Sequence, residues 1–323
     1  MNLEAILRPI DRDLSRVTDR VLASLQHPIA KMSVYLIAAG GKRLRPALTL
    51  LAGRSGDRQT QREALVDLAA AIELVHTATL IHDDIVDGSL LRRRRPTFHE
   101  RFGTERAVLM GDYLYAVAFS VFARLRDPYV TSYMADVCQQ LSRGELLEVE
   151  TRYQLEISED RYLEVVREKT ASLMAACCHL GAYVGGARRE TVDRVTTFGL
   201  NVGMAFQIVD DCLDLIGNQH RVGKTLRSDL EKGSLSLPII YLAHSVSATE
   251  RRRLFAPLHR RQADPAFVRS IAKAANRSGA IAKAQETAQR FIQEAMGALA
   301  ERDGVVLVDT YRQLAQYAIQ RQS

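Results

Sequence analysis

The chain has 323 residues, 47% of them hydrophobic and 25% charged, the balance of a soluble globular protein rather than a disordered one. Eight prolines and 19 glycines exclude a collagen-like or proline-rich scaffold, and 44 Lys and Arg against 38 Asp and Glu leave a formal charge of +6. That excess suits an anionic ligand; it is too small and too scattered to indicate a nucleic-acid partner.

The opening residues, MNLEAILRPIDRDL, carry acids in their first turns and no apolar stretch followed by small residues, so no secretory signal is expected. Cys138, Cys177, Cys178 and Cys212 form neither a CxxC pair nor a zinc-ligand spacing, which points to reduced thiols in a cytoplasmic protein. Gly40-Gly41 break the chain before Lys42, Arg43 and Arg45. Pro46 marks a helix start there, so these cations are expected just ahead of an N-terminus that favours anions. A helix follows over 63–87, with Leu65, Leu68, Ile72, Val75 and Thr79 at steps of three or four. It ends in Asp83, Asp84 and Asp87, a DDxxD, and the run Arg92 to Arg95 comes a few residues later. Further helices are expected over 106–125, 133–148, 160–183 (with Ser158 as N-cap) and 193–216. The last of these ends in a second DDxxD, Asp210, Asp211 and Asp214. Residues 170–187 carry no Lys, Arg, Asp or Glu, but three glycines and His179 make them a buried helix rather than a membrane span. No membrane anchor is expected. After a break over 217–238 and a charged region, the chain closes in an Ala-rich helical hairpin. GVVLVD at 304–309 is the one β-like run, and no GxGxxG follows a strand. The expected fold is all-α, a single-domain helical bundle over 1–323.

Residues four apart share a helix face, so Asp83 projects with Asp87 and Asp210 with Asp214. Both clusters have apolar neighbours, such as Leu80 and Ile81, or Ile208 and Val209. A solvated acidic face explains one such cluster readily. It explains two poorly, because clustered carboxylates on buried faces repel and are costly to desolvate without cations. All-oxygen donors favour a hard ion, and Mg²⁺ takes one or two carboxylates together with substrate phosphates. With the arginines and Lys42, the set is what a diphosphate requires. His76 lies seven and eleven residues before Asp83 and Asp87, within about 20° of one line on a helical wheel, and so shares their face. His82, beside Asp83, opens a second metal reading, an HD-type phosphohydrolase. That reading needs further histidine ligands, and His76 is poorly spaced to supply one. Lys169 and Lys224 say nothing individually.

Taken together, GGKRLRP, IHDDIVDGSLLRR, GELLE, REKTASL, FQIVDDCLDLIG and DLEKG resemble the trans-isoprenyl diphosphate synthase (polyprenyl synthetase) family over nearly the whole chain. The resemblance implies an all-α bundle around a deep central cavity, usually a homodimer, working with Mg²⁺. It implies that Asp83, Asp84, Asp87, Asp210, Asp211 and Asp214 hold the metal on an allylic diphosphate. Arg92, Lys169 and Lys224 would contact that diphosphate, with Thr170 and Gln207 beside the reacting allyl group. Lys42, Arg45, His76 and Arg93 would hold isopentenyl diphosphate. Product length is expected to depend on Ala78, Thr79 and Val75 before the first cluster, none of them aromatic, with Phe119 or Phe122 as the cavity floor. The expected product is longer than geranylgeranyl, of octaprenyl or solanesyl type, against the alternative of a short-chain farnesyl or geranylgeranyl synthase. The usual RRG reads Arg92-Arg93-Arg94 here, Thr225 and Arg227 replace Pro and Gly, and Ser234 stands where Lys is common. Other readings within the resemblance are a terpene cyclase, which rarely keeps the Lys42, Arg45 and His76 site, and a non-catalytic subunit, which commonly loses the aspartates.

Overall fold

The spacing of Leu65, Leu68, Ile72 and Val75 does what a helical stripe should: all four are buried, on one helix of 25 residues. The computed structural model describes residues 3–25, 32, 35–36, 42–56, 61–216, 229–299 and 307–320. Gly40-Gly41, Lys224, Thr225, Arg227 and residues 304–306 of the GVVLVD run lie outside the described residues; Val308 and Asp309 open the last helix.

The fold is all-α, with one continuous hydrophobic core. In chain order the helices are α1 (Leu3–Leu7), α2 (Asp11–Ser24), α3 (Leu44–Gly53), α4 (Arg62–Val86), α5 (Phe98–Phe102) and α6 (Thr104–Arg124). There follow α7 (Pro128–Thr151), α8 (Glu159–Val166), α9 (Ser172–Val184) and α10 (Arg189–Ile216). The remainder comprises α11 (Leu237–Ser245), α12 (Ala248–Leu254), α13 (Ala256–His259), α14 (Pro265–Arg277), α15 (Ala280–Ala298) and α16 (Val308–Gln320). Helix α7 begins five residues earlier than the spacing indicates because Asp127 caps it, accepting from the Tyr129 N–H at 3.0 Å, with Pro128 at the first position. Ser158 caps α8 as expected, accepting from the Arg161 N–H at 3.1 Å. Helices α4 and α6 are long and apolar enough to cross a membrane by length and composition, yet they pack on each other within the bundle. The outer face of α6 keeps Val108 and Leu109 exposed.

Two departures from regular helix matter for the site. Residues 160–183 are not one α-helix: a π turn, Arg167–Ala171, joins α8 to α9. Such a turn inserts an extra residue and re-aims the side chains on it, and it recurs at functional sites. Two glycines make room for it. A Cβ on Gly144 of α7 would lie 2.5 Å from the Lys169 backbone nitrogen, and one on Gly203 of α10 would lie 2.7 Å from the Ala171 Cα. The second departure is the arginine run, which folds as a hairpin, Leu91–Arg92 paired antiparallel with Arg95–Pro96. Arg93 and Arg94 turn it with φ of 52° and 63°. Positive φ at both central positions is the primed type I geometry that suits the strand twist and normally selects Asn-Gly. Left-handed backbone costs a residue with a Cβ about 1–2 kcal/mol, against about 0.5–1 kcal/mol of extra chain entropy for glycine. Arg94→Gly is therefore expected to stabilise the protein by about 0.5–1 kcal/mol. A urea midpoint that moves down instead would show the turn to be unstrained.

Candidate active site

Helices α4 and α10 carry the aspartate clusters at their C-terminal ends, α4 stopping at Val86 with Asp87 as its C-cap and α10 stopping at Ile216. Carboxylates there meet the negative ends of two helix dipoles, a placement that cations must compensate. Asp83 and Asp87 from α4 and Asp210 and Asp211 from α10 line one cavity of about 340 Å³, between α4, α7, the α8–α9 segment and α10. The members of each triplet are not equivalent. Asp84 is buried and turned away, both its oxygens accepting from Arg92 Nε at 2.9 and 3.0 Å. Asp211 accepts from Tyr162 OH and from Gln207 Nε2, each at 2.7 Å. Asp214 does not line the cavity, and its Oδ2 accepts from the Asp229 N–H at 3.4 Å. Asp87 pairs with Arg152 at 2.9 Å and Lys232 at 3.3 Å. The Asp83 carboxylate accepts no hydrogen bond among the described residues. Asp83, Asp87, Asp210 and Asp211 thus line the cavity, Asp211 with both oxygens already engaged.

The cations divide likewise. Lys169 and Thr170 sit on the π turn and face the cavity, where Lys169 is clasped by Glu145 at 2.6 Å and by Glu148. Arg92 is fixed by Asp84 and lines the cavity with Arg93. Arg45 lies inside the first turn of α3, since the helix begins at Leu44, and not ahead of it as the position of Pro46 indicates. Its Nη1 is 2.9 Å from His76 Nε2. Arginine only donates, so His76 accepts as a neutral ring. Burial and then Arg45, Arg92 and Arg93 hold its pKa well below the ordinary value. Lys42 is not brought to the cavity. The backbone reverses at Arg43 (φ 48°), which sends Lys42 over the Tyr317 ring, 5.6 Å from its centroid. His82 faces α6, with Nε2 3.2 Å from the Val108 carbonyl, so the phosphohydrolase reading loses its histidine.

Of the residues expected to set product length, Thr79 lines the cavity, while Ala78 and Val75 are packed fully into the core and do not. Phe122 is fully buried and Phe119 packs edge-on against it at 5.6 Å, both away from the lining. Ser234 lines the cavity in place of a lysine. Sequence reasoning missed Tyr162, Arg152, Lys232 and Asp229, and gave no role to Glu145 and Glu148. Those two glutamates had a signal, an i, i+3 pair in GELLE. Tyr162 and Arg152 carried none.

Burial governs the charges. It pushes the Asp83 carboxyl up to about 7, against the pull of Lys169, and the Asp211 carboxyl up to about 8, against its bonds from Tyr162 and Gln207. Both are raised in the folded state from the ordinary 3.8, so each contributes stability that is full below that value and is lost progressively as pH climbs, up to about 7 for Asp83 and about 8 for Asp211. Metal-free protein should therefore lose thermal stability between pH 7 and 8.5, a window in which His76 is neutral. Asp211→Asn should flatten most of that slope, and so should Mg²⁺ with pyrophosphate. Equal slopes for wild type and variant would contradict the assignment.

A divalent cation fits this chemistry. The donors are all oxygen, they lie at two negative helix ends, and burial disfavours the ionised forms of Asp83 and Asp211 until positive charge arrives. Among the described residues no three His, Cys, Asp or Glu side chains close around one point. The ion would accordingly be shared with ligand oxygens, the usual habit of Mg²⁺.

Comparison with known proteins agrees with this geometry. The family model for polyprenyl synthetase matches residues 26–275. Heptaprenyl diphosphate synthase component 2 from Geobacillus stearothermophilus is 34% identical over 299 residues, 92% of each chain. Octaprenyl diphosphate synthase from Escherichia coli K12 is 30% identical over 329 aligned positions, 99% of each. A crystal structure of polyprenyl synthase from Caulobacter crescentus CB15, complexed with calcium and isoprenyl diphosphate, superposes with a TM-score of 0.92 at 31% identity, covering 100% of this chain and 98% of that one. The chain belongs to the polyprenyl synthetase family. It is an enzyme, a prenyl diphosphate synthase that transfers prenyl groups.

Proposed function

We propose that the chain condenses an allylic diphosphate with isopentenyl diphosphate in trans, with Mg²⁺, to a linear product longer than geranylgeranyl. The observation that carries this is the shared cavity: aspartates from two helix ends face Lys169 and Arg92, with Arg45, His76 and Arg93 along the same lining. Asp83, Asp87 and Asp210 would hold the metal, which when bound neutralises diphosphate oxygens and charge on the leaving pyrophosphate. Arg92, locked by Asp84, and Lys169 bind that diphosphate from the protein side. Arg93 and the Arg45–His76 pair orient the second substrate. Thr170 and Gln207 stand beside the reacting carbon, and Leu141, Val166, Leu173 and Phe206 keep water from the allylic cation. The cation is attacked by the double bond of isopentenyl diphosphate, and a proton is then lost to pyrophosphate. No protein nucleophile is required. The long product rests on the non-aromatic Thr79 at the lining and on the heptaprenyl and octaprenyl names of the relatives. Purified protein given labelled isopentenyl diphosphate, farnesyl diphosphate and Mg²⁺ should yield a linear ladder beyond geranylgeranyl. A C15 or C20 end point would favour the short-chain reading, and a cyclic product would sink both.

The apolar outer face of α6 supports a homodimer, with a second copy of the chain covering Val108 and Leu109. Leu109→Arg is expected to convert the dimer to monomer by light scattering. A monomeric wild type that becomes active only with another subunit would favour a heteromeric enzyme, the arrangement the component 2 name suggests for that relative.

A further inference from the structure

The Tyr162 hydroxyl is spent on Asp211, donating to Oδ2 at 2.7 Å from a buried ring on α8. From the other carboxylate oxygen the contacts continue. Gln207 Nε2 donates to Asp211 Oδ1 at 2.7 Å, and Gln207 Oε1 accepts from Thr170 Oγ1 at 2.9 Å. The two ends of a glutamine amide are told apart only by their partners. Here the partners decide. A carboxylate can only accept, so Nε2 faces Asp211 and Oε1 is left for Thr170. Were Asp211 protonated on Oδ2, the phenol oxygen would accept that proton, and Oδ1 would still accept from Gln207. The direction of the chain is the same in both charge states. It ends on Thr170, whose single proton is committed to Gln207. The lone pairs of that hydroxyl therefore lie on the side away from Gln207, and Thr170 lines the cavity.

The geometry points to Tyr162 as a positioning residue that, through Asp211 and Gln207, holds the Thr170 hydroxyl with its lone pairs toward the reacting allylic carbon. This rests on the prenyl-transfer reading above. A fixed lone pair stabilises positive charge developing at that carbon; a hydroxyl proton aimed the same way would oppose it. A purely structural Tyr162 would be a buried ring whose hydroxyl affects stability alone.

Tyr162→Phe keeps the ring and deletes the hydroxyl. With active wild type in the same assay, kcat should fall about tenfold or more while KM for both diphosphates stays within about twofold. In a Thr170→Ala background the same substitution should add nothing to the loss, because the group it acts through is gone. Asp211→Asn gives an independent arm if the phenylalanine variant fails to fold. Tyr162 would donate to the new amide oxygen, the NH₂ would face Gln207, and Gln207 would turn over. Thr170 would then accept, with its proton toward the substrate, and kcat should fall again at little changed KM. Wild-type kcat in Tyr162→Phe, a loss confined to KM, or one fully additive with Thr170→Ala each overturns the assignment. A wild type without prenyl transfer would instead strike the reading beneath it.

Discussion

Asp83→Ala is expected to remove three or more orders of magnitude from kcat, about 4 kcal/mol of transition-state stabilisation, and to raise the melting temperature of metal-free protein at pH 8. The two effects have one cause. Asp83 lines the cavity with no hydrogen bond to its carboxylate among the described residues, and burial lifts its carboxyl to about 7, so its ionised form is a cost to the empty fold. That cost is kept because the charge is needed when a cation and diphosphate arrive. Its neighbour should behave in the opposite way. Asp84 holds Arg92 with both oxygens and does not line the cavity, so Asp84→Ala leaves a half-buried guanidinium unpaired. Breaking such a pair lowers the melting temperature, and a loosened Arg92 should cost about 10- to 100-fold, mainly in KM for the allylic diphosphate. Turnover and thermal unfolding measured on both variants separate the roles. Near-wild-type turnover in Asp83→Ala would remove the mechanism, and two variants with the same signature would remove the distinction.

This asymmetry was not legible in the sequence. Spacing placed Asp83 with Asp87 and His76 on one face of α4, and the structure has all three at the cavity. It could not show which carboxylate is spent on a neighbour, because the neighbours come from afar: Arg152 from the end of α7, Tyr162 from α8, Lys232 from beyond α10. The long amphipathic helices were legible because each buries a stripe of period 3.6; their ends moved, and the one expected over 160–183 is interrupted by the π turn at Arg167–Ala171. The hairpin at 91–96 was not, since two-residue strands have no period and its turn uses arginines at φ values that normally select Asn-Gly. Lys42 illustrates the other limit. Its place in a basic run is plain, but a left-handed residue after it decides which way it points.

Gly144→Ala should cost about as much in rate as the loss of a site residue, although Gly144 has no side chain to contribute. It lies on α7 where that helix crosses the π turn. A Cβ there would stand 2.5 Å from the Lys169 nitrogen, 2.9 Å from its Cα and 3.0 Å from the Glu168 carbonyl carbon. All three are backbone atoms, so no side chain can swing aside, and either α7 or the turn must move. Overpacking of this kind costs about 1–3 kcal/mol in stability. The displacement falls on the peptide that carries Lys169 and Thr170, and a misplacement of about 1 Å at reacting groups costs about 100-fold in rate. Gly297 provides the control. It is exposed in the last turn of α15, a Cβ there meets nothing within 4 Å, and alanine is favoured over glycine in a helix, by up to about 1 kcal/mol in an interior and less at an end. Gly297→Ala should raise the melting temperature and leave kcat alone. If Gly144→Ala keeps wild-type kcat, the close approach of α7 does not set the position of Lys169, and the π turn must be held by its own contacts, the Arg143–Glu168 pair and the Ser172 bond to the Glu168 carbonyl.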